Sequence, residues 1–413
     1  MSLTRRDFLK AASASLLLGP LAGRALAERP PAPKALVSIF LRGGADGLNL
    51  VVPYKDPGYA ALRRAIRIPA PGTGTGPTAI DLDGFFGVHP ALSPFARLFS
   101  EKKLAIVHAV SYPEANRSHF EEQDVWETAI PKPDVRADGW LNRWLGTHEG
   151  CGPLRAVALG DTLPRQLRGA VGVQSVQRIE ELRLSTPEDR RARTLDALAG
   201  AYAAGGEAGE KERGLAETGQ GTLSGIEALR ELDPSTYAPE NGAAYPQTGL
   251  AGRLRQAAQL LKSDVGVEVI STDLGGWDTH QDQGGVAGQQ ANLARELSEA
   301  CEAFTADMGG RMRDVLVLVA SEFGRTGEEN GTGGTDHGHG NCLFLIGGGV
   351  LGGRVHGTWP GLAKDKLVEQ RDLAHTTDFR DVYAEVITYH LGRTRAGAIL
   401  PEHRPRPVGL FYV

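Results

Sequence analysis

Little in this chain suits it to disulfide, thiolate-metal or nucleic-acid chemistry. Among 413 residues there are three cysteines, Cys151, Cys301 and Cys342, odd in number, far apart and without CxxC or CxxxC spacing. Neither a disulfide framework nor a thiolate zinc site is indicated, and buried free thiols are the simplest reading. Aromatic residues are scarce at 6%, and no basic run interleaves with them. With 45 basic against 50 acidic residues the formal charge is −5, which argues against a nucleic-acid partner. No apolar run approaches the roughly 20 residues that cross a bilayer, so no stable membrane span is expected. No internal repeat of roughly 20 to 50 residues recurs, which excludes solenoids and propellers. What is plentiful is glycine, with 54 residues, in a composition that is 41% hydrophobic and 23% charged. That is an ordinary globular balance with many tight loops.

The first 27 residues read as an address. Thr4-Arg5-Arg6-Asp7-Phe8-Leu9-Lys10 precedes a weakly apolar stretch, Ala11 to Ala22, and then Ala25-Leu26-Ala27, a small-x-small cleavage site. This order is that of a twin-arginine export signal. The expectation is a periplasmic or secreted protein that engages the twin-arginine translocase during export. Cleavage after Ala27 removes Arg5, Arg6, Lys10 and Arg24 against Asp7, leaving the mature chain, 28–413, more acidic.

Within the mature chain, near-continuous apolar runs of strand length lie at 35–41, 104–110, 267–272 and 315–320, with a shorter one at 343–346. Unbroken apolarity marks strands covered on both faces, as in a mostly parallel sheet. Helical patterns fall between them at 90–100, 118–129, 250–262, 289–308 and 379–391. Strands alternating with helices predict an α/β fold with a central sheet. The Arg/Glu/Ala- and Gly-rich stretch from about 180 to 245 reads as a small helical cap insertion with a flexible connector. Trp126, Trp140 and Trp144 fall at helical apolar positions and read as core.

In such sheets functional side chains gather beyond the carboxyl ends of the strands. Strand 35–41 is followed by Gly43-Gly44-Ala45-Asp46-Gly47, and strand 104–110 leads to Asn116-Arg117-Ser118-His119. Strand 267–272 is followed by Gly276-Trp277-Asp278-Thr279-His280, and strand 315–320 by Ser321-Glu322-Phe323-Gly324-Arg325. Gly334-Thr335-Asp336-His337-Gly338-His339-Gly340 enters the last strand. Carboxylates and imidazoles separated by glycine are the ligand set of zinc, manganese or a similar divalent ion. Asp46, Asp278, His280, Glu322, Asp336, His337 and His339 are the candidate ligands.

Ser118 is the candidate nucleophile. The same residue stands as a helix N-cap, with Glu121 completing a Ser-x-x-Glu capping box, which is a sufficient structural reason for it. At a helix N-terminus a hydroxyl also sits in positive potential suited to an anionic ester, and a nearby metal would activate it. Arg117 and Arg325 are candidate clamps for a tetrahedral oxyanion. Gly347-Gly348-Gly349-Val350-Leu351-Gly352 matches a dinucleotide fingerprint, but no helix pattern follows it, so it is set aside.

Leu41 to Asn49, Arg117-Ser118-His119-Phe120, Gly276 to His280, Ser321 to Thr326 and Asp336-His337-Gly338 together resemble a family of exported bacterial proteins classed as a domain of unknown function. That family is grouped with the alkaline phosphatase and sulfatase-like superfamily, and the resemblance spans essentially the whole mature chain. It implies an alkaline-phosphatase-like three-layer sandwich with divalent ions (Zn, Mn, Ca or Mg) at the carboxyl edge of the sheet. It also implies a hydroxyl nucleophile at a helix start, attacking phosphate or sulfate esters. Carried over by residue, Asp46 looks like the first-strand metal carboxylate and Ser118 like the nucleophile. Asp278 and His280 look like ligands after the middle strand, and His337 or His339 like the late histidine. Glu322 stands where the superfamily usually has an Asp-His pair. One imidazole of a second site is therefore missing, unless His119, Asp336 or the second late histidine replaces it. Phosphate esters are expected ahead of sulfate esters. The expected function is an exported metal-dependent hydrolase-like protein acting on a small or envelope-associated ester. The alternative is a non-catalytic metal-binding protein that keeps the fold.

Overall fold

Seven consecutive apolar or small residues form β1 (Ala35–Leu41), and every one of them is buried. Val37, Ile39 and Leu41 pack into one hydrophobic layer and Leu36 and Phe40 into the other. The alternation of the strand thus feeds two cores at once, and each large side chain so buried contributes about 1.5–3 kcal/mol. This is the physical reason the run carries no polar face. In a computed structural model the described residues are 34–150, 154–179, 236–263, 265–392 and 395–412, with isolated helical positions between 190 and 225. Residues 1–27, where an export signal is expected, and most of the cap insertion expected from about 180 to 245 lie outside the described residues.

The other sheet strands are β2 (Leu104–Ser111), β3 (Ala156–Leu159), β4 (Gln174–Val176), β5 (Val269–Leu274), β6 (Val315–Ser321), β7 (Asn341–Gly347), β8 (Arg354–His356) and β9 (Thr377–Asp378). With β1 they form, among the described residues, a nine-stranded sheet in the order β8-β2-β7-β6-β1-β5-β3-β4, with β9 added beside β2. All pairings are parallel except those of β7, which runs antiparallel to both β2 and β6. The carboxyl ends of β1, β2, β5 and β6 therefore share one edge, and the amino end of β7 arrives at that same edge.

Helices cover both faces, giving an α/β fold with a mostly parallel sheet. On one side pack α1 (Ser93–Ser100), α4 (Gly249–Lys262) and α5 (Gln289–Met308); on the other pack α2 (His119–Thr128), α3 (Trp140–Leu145) and α6 (Phe379–Glu385). The tryptophans are core, as expected. Trp126 stacks on Phe379 with centroids 4.2 Å apart, and Trp140 on Tyr383 at 4.5 Å. The run 379–391 starts as α6 and ends in a π-helical turn, Val386–Leu391. The glycine run ending at Gly352 leads into the edge strand β8, with no helix to receive a pyrophosphate. Cys301 and Cys342 are buried free thiols. Among the described residues no helix is long and apolar enough to cross a membrane.

Candidate functional site

The turn between β2 and α2 is built around a buried carboxylate. Glu122 Oε1 accepts the Asn116 amide at 2.7 Å and the Tyr112 hydroxyl at 2.9 Å, while Asn116 Oδ1 accepts the Ser118 amide at 2.7 Å. This pins the start of α2 over the sheet edge and presents His119 to it. Ser118 is the N-cap residue by backbone conformation, but its side chain makes no cap hydrogen bond. The expected capping box is absent, because Glu121 accepts from the Asn116 side chain instead.

Three imidazoles meet around one carboxylate oxygen. His337 Nε2 lies 3.0 Å from Asp278 Oδ1, His280 Nε2 2.9 Å and His119 Nε2 3.5 Å from the same atom. His280 Nε2 and His337 Nε2 are 2.9 Å apart. Each Nδ1 is tied to a group that can only accept when ionised or carbonyl in kind: His119 to Glu322 Oε1, His280 to Asp336 Oδ1 and His337 to the Arg117 carbonyl, all at 2.9 Å. In a neutral imidazole such a partner holds the proton on Nδ1 and leaves Nε2 with its lone pair. Among the described residues His119 Nε2 is buried without a hydrogen-bond partner. Four electron-pair donors thus face one another, which is the arrangement of a cation site with its outer partners in place. His119, Asp278 and His337 each offer an atom within 4.8 Å of the others and could hold a metal ion.

Electrostatics fits the same picture. Burial works to raise the Asp278 pKa, but the Arg325 guanidinium bonded to it and the imidazoles around it outweigh that and bring it to about 2. Burial also resists ionisation of Glu322, yet His119 and Gln123 hold it below its ordinary value. Close packing of the loops depends on glycine. Gly43 has φ +118°, and a Cβ there would stand 2.5 Å from the Asp278 amide nitrogen.

Of the residues singled out in the sequence, Asp278, His280 and His337 come together. Several others do not reach the centre as ligands. Asp46 is buried in a two-pronged ion pair with Arg63, at 2.5 and 3.0 Å, and also accepts from Gln283 at 2.7 Å, so both its oxygens are taken. Glu322 and Asp336 stand behind His119 and His280, accepting their Nδ1 protons. His339 turns away to His375, with Nε2 and Nδ1 2.8 Å apart, and burial brings its pKa to about 4. Arg325 is buried, its fork spent on the carbonyls of Gly43, Gly44, Trp277 and Thr335 and on Asp278 at 2.7 Å. It positions Asp278 and is not a free oxyanion clamp. Arg117 is likewise engaged, by Asp372 and Glu369.

His119 is the residue that sequence reasoning placed only as a substitute. Its signal was position, at a helix start after a strand, but the pairing with Glu322 spans 203 residues. Gln123 and Arg42 were missed. Gln123 donates to Glu322 at 3.0 Å and accepts from Arg42 at 2.8 Å, extending the support of His119.

Two consequences are testable on these supports. Glu322→Gln keeps the volume but weakens the hold on His119 Nδ1, and it should lower metal affinity about 10–100-fold; competition with a coloured chelator measures it, and an unchanged affinity would remove Glu322 from the support. The second concerns pH. Burial raises the Glu122 carboxyl from 4.5 to about 7, against the lowering effect of the Asn116 amide and the Tyr112 hydroxyl. Its folded-state pKa lies above the unfolded one, so its contribution is complete below pH 4.5 and is lost as pH rises through 7. Glu122→Gln should flatten the fall in stability across that window and leave the variant roughly 2–3 kcal/mol ahead above it. Urea unfolding at several pH values reads this, and parallel profiles would refute it.

A family model described as "Protein of unknown function (DUF1501)" matches residues 101–402. No curated protein matches the chain. Among solved structures, the PH0037 protein from Pyrococcus horikoshii is similar at 14% identity and a TM-score of 0.26, covering 77% of this chain and 86% of that one. A phosphonate monoester hydrolase of Agrobacterium radiobacter is similar at 10% identity and a TM-score of 0.28, covering 86% of this chain and 73% of that one. The matched span takes in His119, Asp278, His280, Glu322 and His337, and the chain belongs to the DUF1501 family of proteins of unknown function.

Proposed function

We propose that this protein is an exported, metal-dependent hydrolase-like protein acting on phosphate esters ahead of sulfate esters, with one divalent ion held by His119, Asp278, His280 and His337. The observation that carries the reading is the set of three imidazoles with Nδ1 occupied and Nε2 turned to one carboxylate oxygen, one of those Nε2 atoms being buried and unpartnered. Three nitrogens and one carboxylate suit zinc or manganese better than calcium or magnesium. The ion would supply Lewis-acid polarisation of an ester oxygen. Ser118 is the proposed nucleophile. It is half-buried between Arg117, whose carbonyl holds His337, and His119, and its side chain is not spent on capping α2. Arg325 and Glu322 act as positioning residues, holding Asp278 and the His119 Nδ1 proton respectively. Export would use the twin-arginine signal of residues 1–27 and deliver the protein to the periplasm or medium.

A second reading, a non-catalytic metal-binding envelope protein, is favoured by one feature. Asp46, Arg117 and Arg325 are all committed to ion pairs, so Asp46 is not spare for a second ion and neither guanidinium is free for substrate. Metal content of the mature protein and turnover of an aryl phosphate, before and after metal removal and readdition, separate the two. Metal-dependent turnover lost in Ser118→Ala supports the hydrolase with a serine nucleophile. Bound metal with no turnover on a panel of phosphate and sulfate esters supports the binding protein, and absence of bound metal overturns both.

A further inference from the structure

A polar cavity of about 760 Å³ lies on the same sheet edge as the imidazole cluster, lined among others by Pro113, His375, Thr377, His403, Arg404 and Arg406. Its place follows from the topology. β9, Thr377–Asp378, pairs in parallel with Val110–Ser111 at the carboxyl end of β2, the strand whose exit turn carries Ser118 and His119. His375 is joined to His339, which lies two residues beyond His337 on the segment entering β7.

Two aspartates, Asp378 and Asp381, and two arginines, Arg404 and Arg406, line this cavity, and they are not paired with one another through their side chains. Asp378 is neutralised by the Arg380 fork at 2.9 and 2.6 Å, and Asp381 accepts from His403 at 2.7 Å and from the Arg406 amide at 2.8 Å. The guanidinium groups of Arg404 and Arg406 have no hydrogen-bond or ion-pair partner among the described residues, and His375 has Nδ1 alone engaged. Asp378 and Asp381 are thus engaged within the protein and Glu114 stands near His375, while the exposed Arg404 and Arg406 on the lining keep unpaired guanidinium groups. Arg presents a planar fork that matches a carboxylate or phosphate, and the volume is that of a small-molecule site, well beyond a bare inorganic anion.

We infer that this cavity is a binding subsite for a sugar-sized anion, a carboxylate- or phosphate-bearing polar group of the substrate remote from the ester, engaged by Arg404 and Arg406. The inference rests on the proposed function for calling the ligand a substrate, while the binding itself does not depend on the metal. Calorimetric titration of the full mature chain, freed of metal with a chelator that is then dialysed away, uses glucuronate, glucose 6-phosphate, glucose and inorganic phosphate as probes. Either sugar anion should bind while glucose does not, and the Arg404→Ala/Arg406→Ala double variant should weaken that binding at least about tenfold at unchanged circular dichroism. Arg404→Lys/Arg406→Lys, which keeps the charge and loses the fork, should fall between the two. No binding of either sugar anion at millimolar concentration, equal binding by the alanine variant, or glucose bound as tightly as the anions would overturn the subsite. Inorganic phosphate bound as tightly as glucose 6-phosphate would overturn its sugar-sized character. Because the protein is metal-free here, a negative metal analysis would defeat the hydrolase reading and leave this result standing.

Discussion

Asp278→Ala is expected to abolish stoichiometric binding of a divalent ion, and with it any ester turnover, while leaving the fold intact. Its Oδ1 is the one atom approached by His119, His280, His337 and Arg325 together. Without it, three imidazoles face one another with no carboxylate among them to balance a dication, beside a buried guanidinium that then repels it. Loss of an outer partner already costs about 10–100-fold in metal affinity, and loss of the shared carboxylate should exceed that. Stability should fall by less than on breaking a fully buried pair, because the Asp278 side chain is 47% exposed and Arg325 keeps its four carbonyl contacts. Metal analysis after dialysis, beside a thermal melt, checks both halves. A variant that retains one ion per chain would remove Asp278 from the centre.

Asp46→Ala should behave in the opposite way, destabilising the protein by about 3–5 kcal/mol with metal content preserved. Asp46 and Arg63 form a fully buried pair, both side chains at 0% exposure. Removing the carboxylate strands a desolvated guanidinium whose remaining partners are the carbonyls of Gly327 and Thr326. Breaking such a pair costs far more than the pair adds over an apolar substitute, because the surviving charge stays buried. Asp46→Asn, which can still accept one hydrogen bond, should fall between parent and alanine. Denaturant unfolding with parallel metal analysis decides the matter. Metal loss at unchanged stability would return Asp46 to the ligand set and reverse the assignment made here.

The contrast between Asp46 and Asp278 shows where local sequence stops. Both follow a buried strand and a pair of glycines, so both read as strand-end ligands. What separates them is Arg63, which lies outside every strand-end motif and reaches back under the loop to take both oxygens of Asp46. Arg325 likewise reads as a free cation on a loop, and only packing reveals that four backbone carbonyls surround it. For His119 the reverse holds. Beside a serine at a helix start it reads as part of a cap, and it becomes a candidate ligand because Glu322, from another strand end, holds its far nitrogen.

Five of the nine described strands, near 35–41, 104–110, 267–272, 315–320 and 343–346, five of the six covering helices, and strand-end loops rich in acid and imidazole are legible in the sequence, whereas the short strands β3, β4, β8 and β9 are not. Apolar periodicity and strand-end loops are local properties, and unbroken apolar runs can be stable only when both faces are covered. Tertiary structure alone decided which of the gathered groups meet. The antiparallel course of β7 brings Asp336, His337 and His339 to the shared edge from the opposite direction, and sheet order sets β2 beside it. Which carboxylate is left to face the imidazoles and which is consumed by a buried guanidinium is then a matter of contacts across hundreds of residues. No spacing along the chain encodes them, because the energy of a charge depends on what desolvates and pairs it in space.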